Sequence, residues 1–310
     1  MVWVEFDWGT DIYQARQIVN EKLQLAAGNL PPEAQRPALA PVSSIMGEIM
    51  FISLTSDKHK PMDLRSTADW AIRPRLLSVP GVSQVTPIGG DIKEYQVSIS
   101  PERLAAAGVS LSQVIAAVKG TNQNTSAGFY VEGGQEYLIH GVGRVTRLED
   151  IANTVVALNN GRAVLVNHLA EVRIGPAIKR GDGSAQGKPA VILALQKQPG
   201  ANTLTLTKEL DRTLEDIQKT LPKGMTIDRQ IFRQADFIQV SIDNVIDALR
   251  DGAIVVVVIL LLFLMNLRAT FIALLAIPLS LLAAVLTLKF FGATINTMTL
   301  GGMAIAIGAL

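Results

Sequence analysis

Residues 252–310 decide the fold. They begin Gly252-Ala-Ile-Val-Val-Val-Val-Ile-Leu-Leu-Leu-Phe-Leu-Met265 and run to Leu310 with charge only at Arg268 and Lys289. Those two cations divide the stretch into apolar blocks at 252–267, 269–288 and 290–310. Each block is near the roughly 20 residues a helix needs to cross a bilayer core. A cation at the bilayer centre costs about 2.5–3.5 kcal/mol, so Arg268 and Lys289 belong at water interfaces on opposite sides. The pattern predicts three transmembrane helices over about 248–267, 269–289 and 293–310, the last truncated. An amphipathic connector, 233–250, leads into the first.

Upstream the composition changes. Apart from Arg268 and Lys289, all the charge lies before residue 252, and the chain totals 28 Lys and Arg against 27 Asp and Glu. That balance argues against a nucleic-acid partner, and no polybasic run marks anionic lipid. Cysteine is absent, which excludes structural disulfides and thiolate metal clusters and suits an oxidising compartment. Residues 2–6 alternate as a strand, without the basic and apolar regions of a signal peptide. The last apolar block stops without a closing loop. Both ends read as cut, as in a piece of a longer membrane protein.

Taken in order, the strand at 2–6 is followed by a turn and a helix cap at Trp8-Gly9-Thr10-Asp11. Ile12, Ala15, Val19 and Leu23 then share one helical face. Pro31, Pro32, Pro37 and Pro41 make an extended connector. A strand is predicted over 48–54 and a helix over 63–77. In that helix Leu64, Ala68, Ile72 and Leu76 recur at every fourth position and Pro74 introduces a kink. Pro80-Gly81 turns the chain into strands at 83–88 and 94–100. The order recurs: strand 189–196, a helix capped by Asn202 or Thr203 and carrying Leu206, Leu210, Leu214, Ile217 and Leu221, then strand 225–230. Two β-α-β units apart in sequence predict an α+β fold, a ferredoxin-like split sandwich with an insertion between its halves.

The insertion, 101–180, holds helices at 101–107 and 110–120, the second capped by Ser110. A glycine-rich hairpin follows at Gly128-Phe129-Tyr130-Val131-Glu132-Gly133-Gly134-Gln135. At the far end Asn266-Leu267-Arg268 is a direct turn between antiparallel spans. The positive-inside tendency puts Arg268 on the cytoplasmic side and the 250-residue region on the other. Pro278 lies mid-span, where neighbouring helices re-satisfy its freed carbonyl. Gly302/Ala306 and Ala304/Gly308 are small pairs that permit close helix packing.

Three stretches resemble the resistance–nodulation–cell division (RND) efflux pumps. Pro80-Gly-Val-Ser-Gln-Val85, with Gly89-Gly-Asp-Ile-Lys-Glu-Tyr-Gln-Val97, is similar to the heavy-metal branch, where Lys-Glu-Tyr-Gln-Val after paired glycines is typical. Lys197-Gln-Pro-Gly-Ala-Asn-Thr203 is similar to the second porter unit. Leu300-Gly-Gly-Met-Ala-Ile-Ala-Ile-Gly308 is similar to the start of the fourth membrane helix. The resemblance implies that 1–41 ends the first porter subdomain, that 42–100 and 181–232 form the second, and that 101–180 is an inserted docking subdomain. It implies a homotrimer in which the 128–135 hairpin reaches into a neighbouring protomer. A bacterial inner membrane, a periplasmic soluble region, a periplasmic adaptor and an outer-membrane channel come with it. Transport of a heavy-metal cation would be driven by proton influx, at about 2.3 kcal/mol per charge per 100 mV. The acidic residues of the proton relay are expected just beyond Leu310, and the spans here contain none. Asn167-His168-Leu169-Ala170 departs from the family, which more often has an acidic residue before a Val-Ala pair.

The remaining candidates are weaker. Met46 and Met50 flank Glu48, and in a strand all three share a face. Thioether sulfur suits Cu(I) or Ag(I), but methionine also fills core gaps. The resemblance puts the main methionine site of copper and silver pumps in the other half of the full protein. Asn296, Thr297 and Thr299 either cap the last helix or line the proton path. His59, His140 and His168 have no ligand-spaced partner. Gly183-Ser-Ala-Gln-Gly187-Lys188 is one residue short of a Walker loop, with Pro189 where Ser or Thr must reach magnesium. No cofactor motif or nucleophile–base pair is assembled, so an enzyme is the least favoured class. The first reading is a proton-driven exporter of heavy-metal cations. The alternatives are an exporter of hydrophobic or amphiphilic compounds, disfavoured by 5% aromatic content, and a membrane-anchored assembly or adaptor-docking protein without transport.

Overall fold

The computed structural model describes residues 2, 4–7, 9–31, 34–35, 37–42, 47–159, 161–264, 267–291 and 302. Helix α1 (Ile12–Ala27) starts at Asp11, whose carboxylate accepts the Tyr13 and Gln14 N–H groups at 2.8 Å each. The strand expected at 2–6 is not formed among the described residues. Alternation alone makes no ladder; a strand needs a partner edge for its backbone groups.

Strand β1 (Glu48–Ser56) leads to α2 (Pro61–Thr67), a π-helical turn (Ala68–Ile72), α3 (Arg73–Leu77) and β2 (Val82–Ile88). The kink expected at Pro74 takes the form of that π turn. Pro74 has no N–H for the Trp70 carbonyl and its ring crowds it. The Arg73 N–H bonds the Ala68 carbonyl, five residues back. Next come β3 (Lys93–Ile99), α4 (Pro101–Ala107) and α5 (Leu111–Thr121), then β4 (Thr125–Glu132) and β5 (Gln135–Gly141). After α6 (Leu148–Ala152), β6 (Val155–Asn159), β7 (Arg162–Leu165) and α7 (Val166–Leu169), strand β8 (Ala170–Pro176) closes the inserted region. A small hairpin of β9 (Ser184–Ala185) and β10 (Lys188–Pro189) precedes β11 (Val191–Lys197), α8 (Thr203–Thr220) and β12 (Met225–Arg233). Two long helices follow, α9 (Gln234–Leu264) and α10 (Leu267–Phe290).

The main sheet has the order β12-β1-β11-β2 with every neighbouring pair antiparallel. It is the ferredoxin-like β-α-β plus β-α-β arrangement expected from the two separated units. Its core lies against α2, α3 and α8. There Met50, Ile52, Leu54, Leu193 and Leu195 meet Ile72, Leu76, Leu210, Leu214 and Ile217, all essentially inaccessible to water. Strand β3 leaves this sheet and pairs with β8, from Lys93 opposite Pro176 to Ile99 opposite Ala170. A second, smaller core around Val109, Val114 and Leu169 sits beside that ladder.

The two connections between these bodies cross at glycines. Gly89 has a φ of +80° and Gly183 lies against its Cα, so neither has room for a side chain. Over the residues whose side chains are described, no single helix is long and apolar enough to cross a membrane; the three expected spans run through residues outside that set. Helix α9 spans 31 residues and α10 spans 24.

Candidate functional site: a bare hairpin arm and a polar sheet face

Among the described residues, strands β4 and β5 pair only with each other. Their turn is Gly133-Gly134, with φ of 61° and 79°, the doubly left-handed geometry of a type I′ hairpin. The register slips by one residue between Ser126 and Phe129, next to Gly128 at φ 86°. A glycine in that conformation produces such a bulge and twists the arm. Tyr130 stands opposite Tyr137 and Phe129 opposite Leu138. Phe129 is 68% exposed and Val131 61%, and all eight residues 128–135 are exposed. A lone two-stranded hairpin is marginal in water, and this one shows aromatics to solvent. It has the character of a surface made to be covered.

The face of the main sheet opposite α2, α3 and α8 carries a row of polar side chains at one end. Glu48, Gln196 and Gln84 lie side by side across β1, β11 and β2. The Gln196 Nε2 donates to Glu48 Oε1 at 3.4 Å, and Gln84 Nε2 donates to Thr86 Oγ1 at 3.0 Å. Gln196 Oε1 is shut off from solvent without a hydrogen-bond partner among the described residues, as is Ser53 Oγ. An unpaired buried acceptor carries a desolvation penalty of about 1–3 kcal/mol, so such groups mark places where a donor or cation fits. Sequence reading missed this row. The period-2 alternation of 191–197 puts Gln196 opposite Leu195 in facing, but its neighbours appear only once the register is known.

Met50 is fully buried in the helix-side core beside Leu195. An irregularity between Glu48 and Met50 turns Glu48 to the opposite face, so those two residues do not share the expected face. Met46, Asn296, Thr297 and Thr299 lie outside the described residues. His59 Nδ1 contacts Ser56 Oγ at 2.9 Å, and His168 Nδ1 accepts the Leu165 N–H at 3.2 Å; both are local turn contacts. Among the described residues no group of three His, Cys, Asp or Glu is placed to hold a metal ion. The Gly183–Lys188 loop is the β9–β10 turn, with φ of 51° at Gln186 and 76° at Gly187. Its Lys188 Nζ reaches Asp57 at 2.9 Å, so it does not cradle phosphate.

A third feature fastens the sheet to the terminal helices. Arg233, the last residue of β12, makes two parallel hydrogen bonds of 2.8 Å to the Asp211 carboxylate on α8. Its Nε reaches Asp236 in the first turn of α9 at 3.2 Å. Asp211, the main partner, holds the guanidinium pKa above its usual value. Arg229 adds a contact to Glu215 at 3.2 Å.

The chain belongs to the AcrB/AcrD/AcrF family of RND pumps, whose profile matches residues 1–310. Within it, the chain is 34% identical to the cobalt-zinc-cadmium resistance protein CzcA of Cupriavidus metallidurans over 97% of its own length. It is 35% identical to the cation efflux system protein CusA of Escherichia coli over 100% of its length. It covers 29% of the first and 30% of the second. The fold superposes on a crystal structure of a heavy metal efflux pump with a TM-score of 0.84 at 27% identity, over 94% of this chain and 29% of that one. The relatives are efflux proteins and not enzymes.

Proposed function

We propose that this chain forms part of a proton-driven inner-membrane exporter of heavy-metal cations, working by alternating access of its periplasmic porter subdomains. The observation that carries the reading is similarity over nearly the whole chain to proteins named for cobalt, zinc and cadmium resistance and for cation efflux. Residues 42–100 and 181–232 are the second porter subdomain, 101–180 the docking insert, and 1–41 the end of the first porter subdomain. The 24 residues of α10 carry charge only near the ends, at Arg268 and Lys289. At 1.5 Å per residue that helix is about 36 Å long, enough for a hydrocarbon core of roughly 30 Å. The hairpin arm supports a homotrimer in which residues 128–135 lie against a neighbour, with an adaptor and outer-membrane channel completing the path. Asn296, Thr297 and Thr299 remain the proposed lining of the proton route.

The Glu48–Gln196–Gln84 row supports a cation as cargo, because it presents carboxylate and amide oxygens that suit a divalent ion better than Cu(I). The test expresses the full-length protein in a metal-sensitive strain and scores growth on zinc, cobalt, cadmium and copper, with a panel of organic compounds alongside. Raised tolerance to a divalent metal, reduced by Glu48→Gln, is the expected outcome. Export of organic compounds with unchanged metal tolerance would assign the chain to the hydrophobic branch. No export of either would leave it a docking protein.

A further inference from the structure

We propose that Arg233 is a positioning residue that locks α9 to the β-α-β body, so that tilting of the sheet is handed directly to the helix leading toward the membrane. Strand β12 ends at Arg233 and α9 begins at Gln234, with no loop between them. A strand that runs straight into a helix can still swivel at the junction unless side chains hold it. Arg233 holds it from the α8 side: its side chain is 18% exposed and its two bonds to Asp211 are both 2.8 Å. A bidentate guanidinium–carboxylate pair fixes orientation as well as distance. The same guanidinium reaches Asp236 on α9, so one residue bridges α8, β12 and α9. The β1 side is held by aromatic rings. Phe51 and Phe232 lie 5.2 Å apart, and Phe232 and Phe237 6.1 Å apart. Ala235, between the ionic and aromatic contacts, is buried.

The purpose assigned to this clasp rests on the exporter reading, but its geometry does not. The chain contains no cysteine, so Lys208→Cys on the exposed side of α8 and Asn244→Cys on α9 supply the two spin-label sites. Pulsed dipolar spectroscopy of the full chain in detergent is expected to give a single narrow distance peak. Arg233→Gln and the near-isosteric Asp211→Asn should each lose that peak to a broad distribution. Arg233→Lys keeps the charge without the fork and should fall between. A peak that stays narrow in both variants while the sheet's melting temperature drops would mean Arg233 only stabilises its surroundings, and the proposal fails. A peak narrow in both variants with no change in melting temperature overturns it equally. Loss of the peak in a protein that confers no metal tolerance would sink the exporter reading and leave the clasp standing.

Discussion

At Gly89 a methyl group would sit 2.8 Å from Gly183 Cα and 2.9 Å from the Ala190 carbonyl oxygen, on a backbone with φ +80°. Both clash partners are backbone and cannot rotate away. Gly89→Ala is therefore expected to lose about 2 kcal/mol or more, read from the midpoint of chemical denaturation; an unchanged midpoint would mean the two connections do not cross as described. The paired glycines were legible only as a turn, because the crossing chain arrives 94 residues later. Met50 makes the opposite case. It lies in the helix-side core, so Met50→Leu should keep metal tolerance and change stability by under about 1.5 kcal/mol. Lost tolerance with an intact fold would return the thioether to the list of ligands.

At the scale of elements, the helix over 61–77 shows how a packing constraint is written in spacing. Leu64, Ala68, Ile72 and Leu76 recur strictly every four residues and all are buried. In a straight α-helix that spacing drifts about 40° per step, carrying Leu76 away from the core. The wider π turn at Ala68–Ile72 absorbs the drift, and the strict period was its visible trace. Packing, and not only Pro74, then holds the turn. Pro74→Ala should retain an Arg73 amide bonded to Ala68, as an amide-resolved structure would show; a bond to Asp69 instead would make the proline its sole cause. The glycines made the hairpin at 128–135 legible, but not the extent of its strands or the bulge beside Gly128. What covers it was not legible either. Replacing Phe129 and Tyr130 together by serine should leave the melting temperature of the sheet unchanged and shift the detergent-solubilised protein to a lower oligomer by light scattering. An unchanged mass would remove the arm from the assembly.

For the whole molecule, the reading of α9 and α10 as spans makes a topological prediction. The chain lacks cysteine, so Arg268→Cys and Lys289→Cys each provide a single reporter. In sealed vesicles an impermeant maleimide should label position 268 from the cytoplasmic face and position 289 from the other. Labelling of both from one side would end the spanning interpretation. The sequence alone determined the periodic features: the alternating and fourfold apolar positions, the caps at Asp11 and Ser110 and the cap at Asn202 or Thr203, the glycine-rich hairpin, and the apolar blocks parted by two cations. These depend on neighbours a few residues apart. Only the tertiary structure decided that β3 leaves the main sheet for β8, that Gln196 lies beside Glu48 across 148 residues of chain, and that Arg233 grips α8. Strand register and side-chain pairing across such distances follow from how whole elements bury their apolar faces together, which no local pattern encodes.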